Sequence, residues 1–150
     1  MNKILIHELR EKGALLPTGV QEGFELFESH ILEGGEVNLR RFLETQIEEN
    51  GWEESWVDFY YGKLTIEEKA KAESVLTAGQ KAWLREQNIG PEDLYFGLDR
   101  DLFEITVRLS VTEMLFSTFY FTKKPCTVWC SMEGKAVVFT NKVDKSTSTP

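Results

Sequence analysis

Between residues 102 and 111 the chain alternates. Phe103, Ile105, Val107, Leu109 and Val111 are apolar, and Glu104, Thr106, Arg108 and Ser110 stand between them. A period of two marks a strand with one face buried. The run therefore predicts the main strand of a sheet. It constrains everything before it, because the preceding segments read as short amphipathic helices that need a surface to pack on. Downstream, 114–122 is apolar on both sides, with Leu115, Phe119 and Phe121 against Met114, Phe116 and Tyr120. That predicts a central strand covered on both faces. Ser110 and Glu113 have capping-box spacing, so a helix over 111–120 is the rival. Lys123-Lys124-Pro125 reads as a turn, 126–132 as a third strand, Glu133-Gly134 as a hairpin and 135–140 as a fourth strand. Residues 141–150 are polar without an apolar anchor, which predicts a disordered tail.

The first hundred residues read as helices. Residues 2–12 suit a short helix stopped at Gly13, with a strand beginning at Lys3 as the alternative. Thr18 and Gln21 open a helix carrying Val20, Phe24, Phe27 and Ile31 on one face to about residue 32. Asn38 is the expected cap of a helix whose inner face is Leu39, Phe42, Leu43, Gln46 and Ile47. Residues 51–61 suit another short helix or, given the aromatic richness, a strand-like segment. Thr65 and Glu68 form the clearest capping box and open the longest helix, over 66–87. Gly79 inside it predicts close packing of a neighbour. Residues 94–98 read as a short strand. The expected fold is α+β, a single domain over 1–140: four or five N-terminal helices packed on a C-terminal antiparallel sheet of about four strands.

Chemical motifs are scarce. Cys126 and Cys130 share one face of a strand about 13 Å apart, too far for a disulfide, and read as buried thiols. His7 and His30 have no metal-ligand spacing, and neither a phosphate loop nor a nucleophile elbow occurs. No catalytic residue, metal or cofactor is expected. The 150 residues contain no run of about 18 apolar residues and no signal peptide at the N-terminus, so the expectation is a cytoplasmic protein without membrane contact.

Charge is the more informative property. The net charge is −8, and it is uneven. Residues 1–97 carry 19 acids against 10 Lys and Arg, whereas residues 98–150 carry 6 against 7. Such a chain is repelled by phosphate backbones, so direct nucleic-acid binding is not expected, and a basic protein is the natural partner. The strongest concentration lies over 42–62, which holds six acids and six large aromatics without a Lys or Arg. Acidic charge beside amphipathic rings is the composition of a contact surface. Glu48, Glu49, Trp52, Glu53, Glu54, Trp56 and Asp58 are the candidate partner-binding residues. The bland alternative puts these carboxylates on a solvated helix face and the rings in the core. The expected role is a non-enzymatic, inhibitory or immunity-like domain docking on a basic partner. The rivals are a small-molecule binder or enzyme with a pocket between sheet and helices, and a homo-oligomer subunit joined through Phe116, Phe119, Phe121 and Trp129.

Overall fold

The alternating run is a helix. In the computed structural model, which describes residues 1–142, Arg100–Val111 is α-helical. Asp99 caps it, its carboxylate accepting the Leu102 N–H at 2.8 Å. The alternation misleads because two of its polar positions are buried. Thr106 donates its hydroxyl to the Leu102 carbonyl at 2.7 Å, and Ser110 accepts the Ser117 N–H at 3.1 Å. Small hydroxyls satisfied in this way sit inside a helix packed on most sides. The outward residues are Asp101, Glu104 and Arg108, at offsets of three and four, which is the helical period.

In chain order the elements are β1 (Lys3–Ile4), α1 (Ile6–Glu11), α2 (Val20–Leu26), β2 (Glu28–Leu32), α3 (Gly35–Asn50), β3 (Ser55–Asp58), α4 (Ile66–Glu73), α5 (Ala78–Glu86), β4 (Tyr95–Gly97), α6 (Arg100–Val111), β5 (Thr118–Phe121), β6 (Cys126–Cys130) and β7 (Ala136–Thr140). Tight 3-10 turns occupy Trp52–Glu54, Tyr60–Lys63 and Met132–Gly134. Among the described residues the sheet has seven strands in the order β1-β4-β3-β5-β6-β7-β2, and every pairing is antiparallel. The fold is α+β as expected. The expected sheet of about four C-terminal strands is corrected: β1 to β4 come from the first hundred residues.

Three expected helices change for identifiable reasons. The helix over 20–32 stops at Leu26, because residues 28–32 pair in register with β7, from Glu28 opposite Thr140 to Leu32 opposite Ala136. Sheet pairing outweighs local helical periodicity there. The helix over 66–87 divides in two, because Thr77 and Gln80 form a second capping box, with bonds of 2.9 and 3.1 Å. Gly79 lies in the first turn of α5, where an added Cβ would meet nothing closer than the Thr77 hydroxyl at 4.0 Å, so no neighbour packs closely there. Asn38 is not a cap: α3 begins at Gly35 after Gly34 at φ 105°, and Asn38 donates its amide to the Glu33 carbonyl. Residues 55–58 take the strand alternative, as do Lys3 and Ile4. The Thr65–Glu68 box forms, with bonds of 2.9 and 3.1 Å. The rival helix over 111–120 gives way to β5.

The sheet separates two unequal layers. Against one face pack α3, α4, α5 and α6, burying Leu39, Leu43, Phe103, Ile105 and Leu109 over Val57, Phe119, Phe121, Val128 and Val138. On the other face lie α1, the segment after it and α2. There Leu9 packs with Ile4, Trp56 and Tyr120, and Thr127 donates to the Leu15 carbonyl at 2.7 Å. Gly23 of α2 lies so close to the Phe139 ring that a Cβ would meet it at 2.5 Å. The tail expected from residue 141 lies, from residue 143 on, outside the described residues. Among the described residues no helix is long and apolar enough to cross a membrane.

Candidate functional site

Strand β3 builds the site through its pleat. Successive side chains point to opposite faces. Val57 therefore enters the large core, while Trp56 and Asp58 face the thin N-terminal layer. That layer does not cover the whole face. A cavity of about 560 Å³ opens between α1, the segment at Leu16 to Thr18, the turn at Tyr60, and strands β3, β4 and β5. Its volume is in the range of sites that hold a small molecule or a large side chain. It lies on the sheet face opposite the α3–α6 layer.

Asp58 is the charged residue at its floor. It sits opposite Tyr95 of β4, and its Oδ1 accepts the Thr118 N–H at 2.8 Å. Its Oδ2 has a long contact of 3.5 Å with the Tyr120 hydroxyl. Among the described residues no Lys or Arg forms an ion pair with it. Burial pushes the carboxyl up to about 7, although the Thr118 backbone and side chain and the Tyr120 hydroxyl pull it down. Desolvation wins because hydrogen bonds from neutral groups do not replace the hydration of a full charge.

Tyrosines surround this carboxyl. The Tyr95 and Tyr120 rings meet edge to face at 6.2 Å between centroids. Burial raises both phenols above the usual range, with Tyr60 adding to the shift at Tyr95 and the Asp58 charge at Tyr120. Both are hydroxyls at neutral pH, able to donate and accept. Tyr60 is 38% exposed and stands at the mouth with Ile6, 42% exposed, and Phe116, 39% exposed. Arg10 of α1 also lines the cavity. The arrangement is a carboxyl floor, aromatic walls from Tyr95 and Tyr120, and an exposed rim of Ile6, Tyr60 and Phe116.

The seven candidate residues do not share one surface. Trp56 and Asp58 lie on the same sheet face. Trp56 is buried, with its Nε1–H donated to the Thr122 hydroxyl at 3.3 Å and Lys12 over its ring at 5.3 Å. Trp52 belongs to the opposite layer, against Phe103 at 6.4 Å and under the Arg100 guanidinium at 5.2 Å. Glu54 accepts the Thr122 hydroxyl. Glu48 and Glu49 are exposed near the end of α3, and Glu53 is exposed in the following turn. Phe119 and Phe121 are fully buried, and Trp129 is half-buried, leaving Phe116 exposed of the four aromatics considered for assembly.

Cys126 and Cys130 are free and buried, and burial pushes both thiols up to about 12. They are protonated and unreactive at neutral pH. Among the described residues no three His, Cys, Asp or Glu side chains gather as metal ligands. Arg10, Tyr95, Thr118 and Ile6 carried no signal of their own in the sequence. The available signal was Asp58 itself, an acid between Val57 and Phe59 in a segment with a strand reading. Comparison with protein-family models, curated proteins and solved structures gave no match to this chain.

Proposed function

We propose that the protein is a non-enzymatic binding domain of an inhibitory, immunity-like kind, acting in the cytoplasm, and that it docks on a basic protein through the mouth of this cavity. The observation that carries the reading is the pairing of an unpartnered carboxyl floor with an exposed rim of Ile6, Tyr60 and Phe116. A buried anion without a cation is unfavourable in the free protein. A basic partner supplies the missing charge, and an apolar rim excludes water around it. The net charge of −8 favours the same partner at long range by accelerating encounter.

The acids of α3 and the following turn contribute to that field rather than to the contact. Partner capture from the native cell separates the two roles. Ile6→Glu and Phe116→Glu should remove the captured partner, while Glu48→Lys with Glu49→Lys should slow its association and leave the complex intact. Capture that survives both rim substitutions would sink the reading. A captured partner whose own activity persists in the complex would remove the inhibitory role. The volume of about 560 Å³ also favours, as a second reading, a small molecule held in the cavity. Native mass spectrometry of the purified protein would reveal such a molecule.

A further inference from the structure

The chemistry of the cavity narrows what enters it. We infer that the pocket is a lysine site: it takes a primary ammonium on an alkyl stem, supplied by a lysine side chain of the docked protein. The inference rests on the docking reading above and deepens it.

Three features of the pocket lead there. The first is the geometry of Asp58. A guanidinium binds a carboxylate best through two parallel bonds to its two oxygens. Asp58 does not offer that fork freely, because its Oδ1 is already committed to the Thr118 N–H at 2.8 Å. Its Oδ2 has the long 3.5 Å contact with Tyr120 and is the less engaged of the two oxygens toward a ligand. One freer oxygen suits a compact point charge.

The second feature is the set of other acceptors. An ammonium carries three donors. After one goes to Asp58 Oδ2, two remain, and three tyrosines, Tyr60, Tyr95 and Tyr120, line the same cavity and carry phenol oxygens able to accept. Each hydroxyl accepts while donating elsewhere. The ring faces add the attraction of an aromatic quadrupole for a cation. The third feature is the rim. Leu16, Ile6 and Phe116 add apolar lining, with Ile6 and Phe116 exposed, and a four-carbon stem suits such a lining.

Arg10 opposes this ligand. It lines the cavity from α1, and its charge acts on Tyr95. Among the described residues it does not pair with Asp58, so it leaves the carboxylate open while taxing any incoming cation. This gives the inference a sharp test, because an anionic ligand would depend on Arg10 in the opposite sense.

The experiment is an NMR titration of the whole chain with four capped amino acids: N-acetyl-lysine N-methylamide and its arginine, norleucine and glutamate counterparts. The lysine probe should shift the ring signals of Tyr60, Tyr95 and Tyr120. It should bind about tenfold more tightly than norleucine, and more tightly than arginine, in line with one desolvated charge pair. Asp58→Asn should abolish the preference for lysine over norleucine, and Arg10→Gln should tighten lysine binding by about two- to threefold. Equal binding of lysine and norleucine, a preference for arginine, or binding of glutamate that Arg10→Gln destroys would each overturn the inference. The selectivity of the unaltered chain decides the matter even if Asp58→Asn folds poorly. The two readings fail separately. If lysine shows no preference while the rim substitutions still abolish partner capture, the docking face stands and the lysine site falls. If capture survives the rim substitutions, the docking reading falls whatever the probes do.

Discussion

At the residue scale, Asp58 works against the fold that holds it. Its carboxyl is pushed from an ordinary 3.8 to about 7 by burial. A raised carboxyl binds its proton more tightly in the folded than in the unfolded chain. Between about pH 4 and pH 7 the folded state therefore carries more protons, and stability falls as pH rises through that window. The shift corresponds to a few kcal/mol, of order 4 at most. Asp58→Asn keeps an oxygen to accept the Thr118 N–H and removes the titration. The substitution should leave stability near unchanged at or below about pH 4 and raise it by about 1 to 4 kcal/mol at pH 8. Urea unfolding of both proteins at pH 4 and pH 8 measures this. A denaturation midpoint for Asp58→Asn equal to or below that of the parent at pH 8 would show that the carboxyl is not held at a cost. A strained residue whose replacement stabilises the fold is the expected signature of a site kept for binding.

At the element scale, the turn at Tyr60–Lys63 places the mouth of the cavity, and Gly62 lets it do so. A Cβ on Gly62 would meet the Gly90 carbonyl oxygen at 2.1 Å, and that backbone atom cannot rotate away. Gly62→Ala should cost about 1 to 3 kcal/mol and move Tyr60 out of the mouth. Thermal unfolding together with the Tyr60 ring shifts tests both effects; a folded variant with unmoved Tyr60 signals would contradict the second. This turn also shows how much of the molecule was legible in its sequence. The capping boxes at Thr65 and Thr77 are local, and both spacings can be read from the chain. The β6–β7 hairpin is local too, although its connection runs over 131–135 with a 3-10 turn rather than through the two residues Glu133-Gly134 alone, both of which have positive φ. What was not legible depends on partners distant in sequence. Residues 28–32 become a strand because β7 offers them an edge, more than a hundred residues later. Thr106 and Ser110 become interior residues because α6 is covered on nearly every side, so their alternation with apolar neighbours says nothing about period. The site suffers most from this. Asp58 was named from composition, but Arg10, Tyr95 and Thr118 reach it only through the strand order β4-β3-β5 and the layer laid over it.

At the scale of the whole molecule, the two faces of the sheet carry different tasks. The α3–α6 side is a filled apolar core that makes the fold stable. The N-terminal side is thin, leaves a cavity, and holds the charge that the core cannot accommodate. On the proposed reading a cation that enters would bind the carboxylate form and return the stability withheld on the second face. Binding and folding would then be coupled through one proton. The other ionisable groups facing the cavity are Arg10, Tyr60, Tyr95, Tyr120 and Cys130. Burial raises Tyr95, Tyr120 and Cys130 above their usual ranges. Among the cavity groups that burial shifts, Asp58 is the one brought between pH 6 and pH 8. With its carboxyl at about 7, roughly a tenth of the molecules carry the charge at pH 6 and roughly nine-tenths at pH 8. The capped lysine should therefore bind about tenfold more weakly at pH 6 than at pH 8. At one fixed concentration it should also raise the melting temperature more at pH 8. Norleucine should show neither difference. Affinity that is flat across this range, or that strengthens toward pH 6, would place the cation somewhere other than on Asp58.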